Sequence, residues 1–250
     1  MPETRGNEEG KIKIRKTALV TGATGGLGSA LALELGFVGY KVALNFHKDR
    51  AGAERLAEKL GAAALALQAD VGRYEEVQSM AAVVRERWGR LDALINCAGI
   101  TGDALLMKLP PAVWDEIINV NLTGAFNTIR AFAPLMADGG GGHIINISSY
   151  SGVKGKRGQA AYSASKAALI GLTIGAAAEL GRYNILVNAV LPGYMPTRMG
   201  AAAPKAMENA ERESLIGRLS SPEEAASFIT CLLRMKCATG QIYPIESRFL

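Results

Sequence analysis

The feature that most constrains this chain is a regular alternation of short apolar runs with longer helical stretches. The strand-like runs fall at 17–21, 41–46, 64–69, 93–96, 143–148, 185–191 and 242–245. The helical stretches lie at 26–38, 51–60, 74–88, 114–137, 160–182 and 222–233. The runs are continuously apolar rather than apolar at every second residue, which suits strands covered by helices on both faces of a parallel sheet. Strands and helices alternating in this way predict a doubly wound α/β architecture with right-handed crossovers. At 250 residues and without an internal repeat, the chain fits one such domain over 13–250, preceded by a loose polar tail over 1–12. The stretch 192–219, rich in Pro, Gly, Met and Ala, breaks the rhythm and predicts a long irregular segment. Segments of that kind often act as lids, and about 193–217 is the candidate substrate lid here, with Met195, Met199 and Met207 as a soft apolar wall.

Composition removes several classes of function. Hydrophobic residues make up 49% and charged residues 20% of the chain, a globular balance without disordered bias. The longest apolar runs, such as 62–67, are too short to cross a bilayer. The opening MPETRGNEEGK lacks the apolar stretch of a signal peptide, so a cytoplasmic protein with no membrane partner is expected. The net charge of +5 comes from scattered basic residues with no nucleic-acid motif; a protein that handles anionic small molecules accounts for it without a nucleic-acid partner. Three cysteines without a CxxC predict reduced thiols, and two histidines without HExxH predict no metal site.

The first strand runs straight into Gly22, Ala23, Thr24, Gly25, Gly26, Leu27 and Gly28, and then into a helix. Glycines allow a tight turn and close approach of backbone to a phosphate, while the helix N-terminus supplies unpaired amides for the anion. The carboxyl end of a strand is also where doubly wound sheets bind ligands. No GK[ST] comes after it, which disfavours a nucleotide-hydrolysing loop. The end of the second strand, where an acid would hold the ribose hydroxyl of NAD, carries Asn45 followed by His47, Lys48 and Arg50. An uncharged residue with basic neighbours is the better match to a 2′-phosphate, hence to NADP(H) over NAD(H). Asp70, next to Val71 at the third strand's end, either accepts a bond from adenine or caps the helix that begins after Gly72.

Further along lie NCAG at 96–99, NVNLTG at 119–124, NISSYSG at 146–152, YSASK at 162–166 and LPG at 191–193. In this order, behind TGATGGLG, they resemble the short-chain dehydrogenase/reductase family over nearly the whole chain. Ser149 precedes Tyr162 by 13 residues, which fits that family. The segment AGITGDALLMKL at 98–109 is most similar to its 3-oxoacyl-[acyl-carrier-protein] reductases and acetoacetyl-CoA reductases. The resemblance implies a Rossmann-type fold, a homotetramer built through the helices at 114–137 and 160–182, and a ketone or acyl-thioester substrate, with acyl-carrier protein as a possible partner. It implies that Tyr162 is the general acid in reduction and that Lys166 also binds the nicotinamide ribose. Ser149 would bond the substrate oxygen, and Asn121 would hold a water that continues the proton path. Asn96, Ala98 and Gly99 would line the adenosine side of the cofactor, and Pro192, Gly193 and Thr197 would face its nicotinamide.

The side chains support the same chemistry independently. Hydride addition to a ketone leaves an alkoxide, so the reaction needs a proton donor and a polar cradle for the oxygen. A tyrosine with a pKa of about 10 is a poor catalyst at neutral pH unless a cation favours its phenolate. Lys166, four residues on in a helical stretch, is a surface neighbour of Tyr162 and is expected to lower its pKa. Two departures bear on the substrate. The stretch before the fifth strand reads ADGGGG where the carrier-protein reductases are usually basic, and the terminal GQIYPIESRFL lacks their frequent glycine pair. A dehydrogenase acting on another ketone or secondary alcohol is therefore an open alternative, as is an acyl-CoA substrate. A non-catalytic cofactor sensor is a third, and the full proton relay argues against it.

Overall fold

The computed structural model describes residues 15–201 and 203–248; the tail expected over 1–12 lies outside them. Seven strands form one sheet: β1 (Thr17–Val20), β2 (Lys41–Phe46), β3 (Ala64–Gln68), β4 (Ala93–Asn96), β5 (Gly142–Ile147), β6 (Ile185–Pro192) and β7 (Ile242–Ile245). Their order is β3-β2-β1-β4-β5-β6-β7 and every pairing is parallel. Chain direction across the sheet reverses between β1 and β4, so the crevice above these two strands is the natural ligand position.

The continuous apolar runs have a simple cause. Successive residues point to opposite faces, so Ala18 and Val20 of β1, Ile95 of β4 and Ile145 of β5 enter one core with helices α1 (Gly26–Phe37) and α10 (Pro222–Leu232). Leu19, Leu94 and Ile144 enter the other, against α3 (Tyr74–Trp88) and α5 (Gly124–Asp138). Both faces are covered, so both are apolar along most of their length. One buried polar line crosses the second core. Thr128 donates to Asn96 at 2.6 Å, Asn96 to Asn146 at 2.9 Å, and Asn146 to Thr173 at 2.9 Å. It fixes α5 and α7 (Ala160–Leu180) to the ends of β4 and β5. Helix α10 starts with a capping box, Ser221 and Glu224 each bonding the other's backbone amide at 3.0 and 2.9 Å.

Two expectations are corrected. The single helix expected over 114–137 is α4 (Pro111–Ile118), one π-helical turn (Asn119–Thr123) and α5, because the chain re-registers around the buried Asn121. The segment expected to be irregular over 192–219 contains α8 (Arg198–Ala201) and α9 (Pro204–Glu213). Pro204 at the first position of α9 and the buried Ala210 account for that second helix, whose other residues are mostly exposed. The short helices α2 (Arg50–Leu60) and α6 (Ser151–Lys154) complete the set.

Candidate active site

The glycine turn closes over the β1–β4 crevice. Gly22 takes a left-handed φ of +62°, and its amide donates to Asn45 Oδ1 at 3.3 Å. A side chain at Gly28 would overlap the Gly22 carbonyl, and one at Gly26 would lie 2.7 Å from Thr197 Cβ. No side chain caps α1, so its first amides point outward unbonded. Beneath the turn, Thr21 Oγ1 accepts from both Cys97 and Ala98 amides at 3.0 Å, clamping the ends of β1 and β4 together. This helix end, uncapped by any side chain and with Thr197 packed beside Gly26, suits a pyrophosphate. Thr24, Gly25, Gly26, Leu27 and Gly28 all line the cavity that opens there.

At the β2 end the sequence expectation needs revision. Asn45 is buried, and besides accepting from the Gly22 amide it donates to the Ala69 carbonyl at 3.0 Å. Asn45 lines the cavity, while its amide braces the glycine turn against β3, Nδ2 also reaching the Leu67 carbonyl at 3.5 Å. Arg50 bonds Gln68 at 2.6 Å and lies over the Phe46 ring, away from the cavity. His47 and Lys48 are exposed on the cavity rim, His47 Nε2 standing 4.0 Å from Asp70. Asp70 Oδ1 accepts from the Gly72 amide at 2.9 Å, a turn that sets Val71 into the cavity wall. Asn96 is also a correction. Its side chain is taken up by Thr128 and Asn146 and does not line the cavity, whereas Ala98 and Gly99 do.

Ser149, Tyr162 and Lys166 meet in the same cavity, of about 780 Å³. The two serines at the β5 end divide their work. Ser148 Oγ donates to the Lys166 carbonyl at 2.7 Å and pins α7, while Ser149 hydrogen-bonds the Tyr162 phenol. Lys166 Nζ donates to the Ile147 carbonyl at 2.7 Å and lies 5.7 Å from the Tyr162 ring centroid. Burial pushes the phenol up to about 12, the Ser149 bond acting against it, and burial holds the lysine down to about 8. The expectation that Lys166 lowers the tyrosine pKa is thus corrected: burial raises the phenol, and Lys166 is not among the groups that shift it. Asn121 does not line the cavity. Its Oδ1 accepts from the Ile100 amide at 2.8 Å, and its Nδ2 donates to the Ile100 carbonyl and Ser165 Oγ, both at 3.0 Å. Both amide hydrogens are therefore engaged, and the side chain braces the loop after β4.

The far end of the cavity is walled by residues that sequence reasoning passed over. Gln159 donates to both carboxylate oxygens of Asp103 at 3.2 and 3.1 Å, and Tyr150, Tyr194 and Arg248 also line the cavity. Pro192, Gly193, Thr197, Met195 and Met199 line the cavity, but Met207 packs outside it, near Gly200. The signal for Arg248 was the missing glycine pair in IESRFL; nothing in the sequence indicated which way the arginine turns. Among the described residues no cluster suited to a metal ion occurs, and no helix is long and apolar enough to cross a membrane.

A parallel sheet with a glycine turn at its switch point and a Ser–Tyr–Lys group beside it defines a cofactor-dependent oxidoreductase of the α/β class. The family model described as short chain dehydrogenase matches residues 16–208, and the chain belongs to that family. It is 40% identical over 236 residues to the 3-oxoacyl-[acyl-carrier-protein] reductase FabG of Staphylococcus aureus, covering 92% of this chain and 96% of that protein. The FabG of Staphylococcus epidermidis is 39% identical over 234 residues, with 91% and 96% covered. The 3-oxoacyl-[acyl-carrier-protein] reductase of Synechocystis sp. is 37% identical over 242 residues, with 92% and 95% covered.

Proposed function

We propose that this chain is an NADP(H)-dependent reductase that converts the 3-keto group of a 3-oxoacyl thioester into a secondary alcohol. The observation that carries the reading is the meeting, in one cavity, of the glycine turn with the bonded Ser149–Tyr162 pair and the buried Lys166. When bound, the dinucleotide supplies the hydride. Its pyrophosphate suits the start of α1 at Gly25–Leu27, which no side chain caps. His47 and Lys48 are the cations at the rim for a 2′-phosphate, Asp70 and Val71 flank the adenine side, and Pro192, Gly193 and Thr197 flank the nicotinamide side.

The chain's own part in the reaction is the proton. Ser149 donates to the ketone oxygen and holds it beside Tyr162. Tyr162 Oη passes its proton to that oxygen as negative charge develops there. The high pKa of the phenol keeps it protonated at neutral pH, the form that reduction needs, and an alkoxide is the stronger base. Lys166, held against the Ile147 carbonyl, stabilises the phenolate left behind. Asn121 acts as a positioning residue through the loop at Ile100.

The test is an assay of 3-oxoacyl-CoA and 3-oxoacyl-carrier-protein thioesters with both reduced cofactors. NADPH is expected to bind more tightly than NADH; the reverse order in a fluorescence titration overturns the reading of His47 and Lys48. Tyr162→Phe is expected to lower kcat by at least about 100-fold with cofactor affinity retained, the scale of a lost acid group. A near-normal rate in that variant sinks the mechanism. A second reading, reduction of a different ketone, is favoured by one observation: the cavity wall carries Arg248, from a terminal segment that lacks the glycine pair frequent in carrier-protein reductases.

A further inference from the structure

Among the described residues the cavity wall holds four lysines and arginines, and three of them are already engaged or assigned. Lys166 is bonded to the Ile147 carbonyl at 2.7 Å, Arg248 is paired with Glu246 and Glu213, and Lys48 stands at the β2 end beside His47. The fourth is Arg198. It is exposed on the cavity wall, and its side chain makes no hydrogen bond, ion pair or ring contact among the described residues.

The position of Arg198 is fixed through Thr197. A Cβ built at Gly26 would stand 2.5 Å from Thr197 Cγ2 and 2.7 Å from Thr197 Cβ, so Thr197 lies directly against the glycine turn. Thr197 also starts α8. Its Oγ1 accepts from the Gly200 amide at 3.2 Å and its carbonyl from the Ala201 amide at 2.8 Å, while its own amide donates to the Met195 carbonyl at 2.7 Å. Arg198, the first residue of α8, is thus held one residue away from the contact with the start of α1.

The turn it stands beside has no cation of its own. From Thr21 to Gly36 the only charged residue is Glu34. A pyrophosphate diester is doubly negative, and the turn answers it with backbone amides and a helix end worth roughly half a charge. An arginine supplies the missing charge together with paired N–H donors that match phosphate oxygens. An exposed guanidinium with no protein partner gives up no internal bond to do so.

We propose that Arg198 is a cofactor-binding residue whose guanidinium pairs with the pyrophosphate of the dinucleotide from the α8 side, across from the amides of the glycine turn. This rests on the reading of the cavity as a dinucleotide site, and not on which dinucleotide or which ketone it takes.

The experiment measures binding without substrate, by fluorescence for NADPH and NADH and by calorimetry for ADP-ribose, to wild type, Arg198→Gln and Arg198→Lys. ADP-ribose has the pyrophosphate but neither nicotinamide nor 2′-phosphate. Arg198→Gln is expected to raise all three Kd values by a similar factor of about 10, the lower end for a bond to a charged group because the site is exposed. Arg198→Lys keeps the charge without the paired donors and is expected to fall between the two. The Tm without cofactor is expected to stay at the wild-type value, since the side chain touches nothing. A loss confined to NADPH would assign Arg198 to the 2′-phosphate, and a loss that spares ADP-ribose would assign it to the nicotinamide side; either overturns the proposal. So do three Kd values within twofold of wild type. A wild type that prefers NADH refutes the NADP(H) reading and leaves Arg198 on the pyrophosphate. A wild type that binds none of the three overturns the dinucleotide site and Arg198 with it.

Discussion

Lys166, proposed above to stabilise the phenolate, is held in the fold at the expense of stability. Its ammonium is buried and has the Ile147 carbonyl as its hydrogen-bond acceptor, with no carboxylate among its perturbing neighbours, and its pKa falls from 10.5 to about 8. The unfolded chain holds that proton up to its ordinary value, so between pH 8 and 10.5 the unfolded state binds more protons and stability rises with pH. Below pH 8 the full cost is present, on the order of 3 kcal/mol before the lost hydrogen bond is counted. Lys166→Met is therefore expected to abolish turnover and yet raise Tm at pH 7 by about 3–6 °C, a gain that shrinks toward pH 10. Thermal melts of both proteins at pH 7 and pH 10 check this, and a lower Tm at pH 7, or a gain independent of pH, contradicts it. The sequence indicated the Tyr162–Lys166 pairing from spacing alone, but not the sign of the tyrosine's shift. That sign depends on how much water the fold removes, which spacing does not encode.

At the scale of elements, strand positions were legible to within a residue because both faces of the sheet's centre are covered and its strands are apolar along most of their length. The helix over 114–137 was legible as a helix but not as one broken by a π turn, since the turn answers to Asn121 and its bonds to Ile100 and Ser165. Asparagines were the weakest readings for the same reason. Asn45, Asn96 and Asn121 all stand at strand ends or turns beside the site, where an amide can serve a ligand or the backbone equally well. In each case the fold engages it internally, in bracing the glycine turn, joining β4 to β5, or holding the loop after β4. Arg248 was illegible for the opposite reason. It lies outside every regular element, and its place depends on the packing of β7 against β6 and on two tyrosines distant in sequence.

At the scale of the whole molecule, α5 and α7 leave an apolar surface that water suits poorly. Helix α7 runs for 21 residues with Lys166 and Glu179 as its only charges, and its outward positions are Ala167, Ala168, Gly171, Ile174, Gly175 and Ala178. Nothing lies within 4 Å of a Cβ built at Gly171 or Gly175, and Ile174 is 50% exposed. On α5, Phe126 is 46% exposed, and neither it nor Ile174 belongs to a core cluster. A smooth apolar face of small residues admits another helix at close range, and contiguous faces of this sort on an otherwise charged surface are interaction sites. The homotetramer implied by family resemblance is therefore proposed to form across α5 and α7, which also pack at the site through Lys166 and the Asn121 turn. Light scattering is expected to give the mass of four chains for the wild type. Phe126→Glu/Ile174→Glu is expected to give a smaller species with its fold intact, because both carboxylates sit in water in the free chain and would have to be desolvated on assembly. A monomeric wild type, or a double variant that stays tetrameric, removes α5 and α7 as the assembly faces.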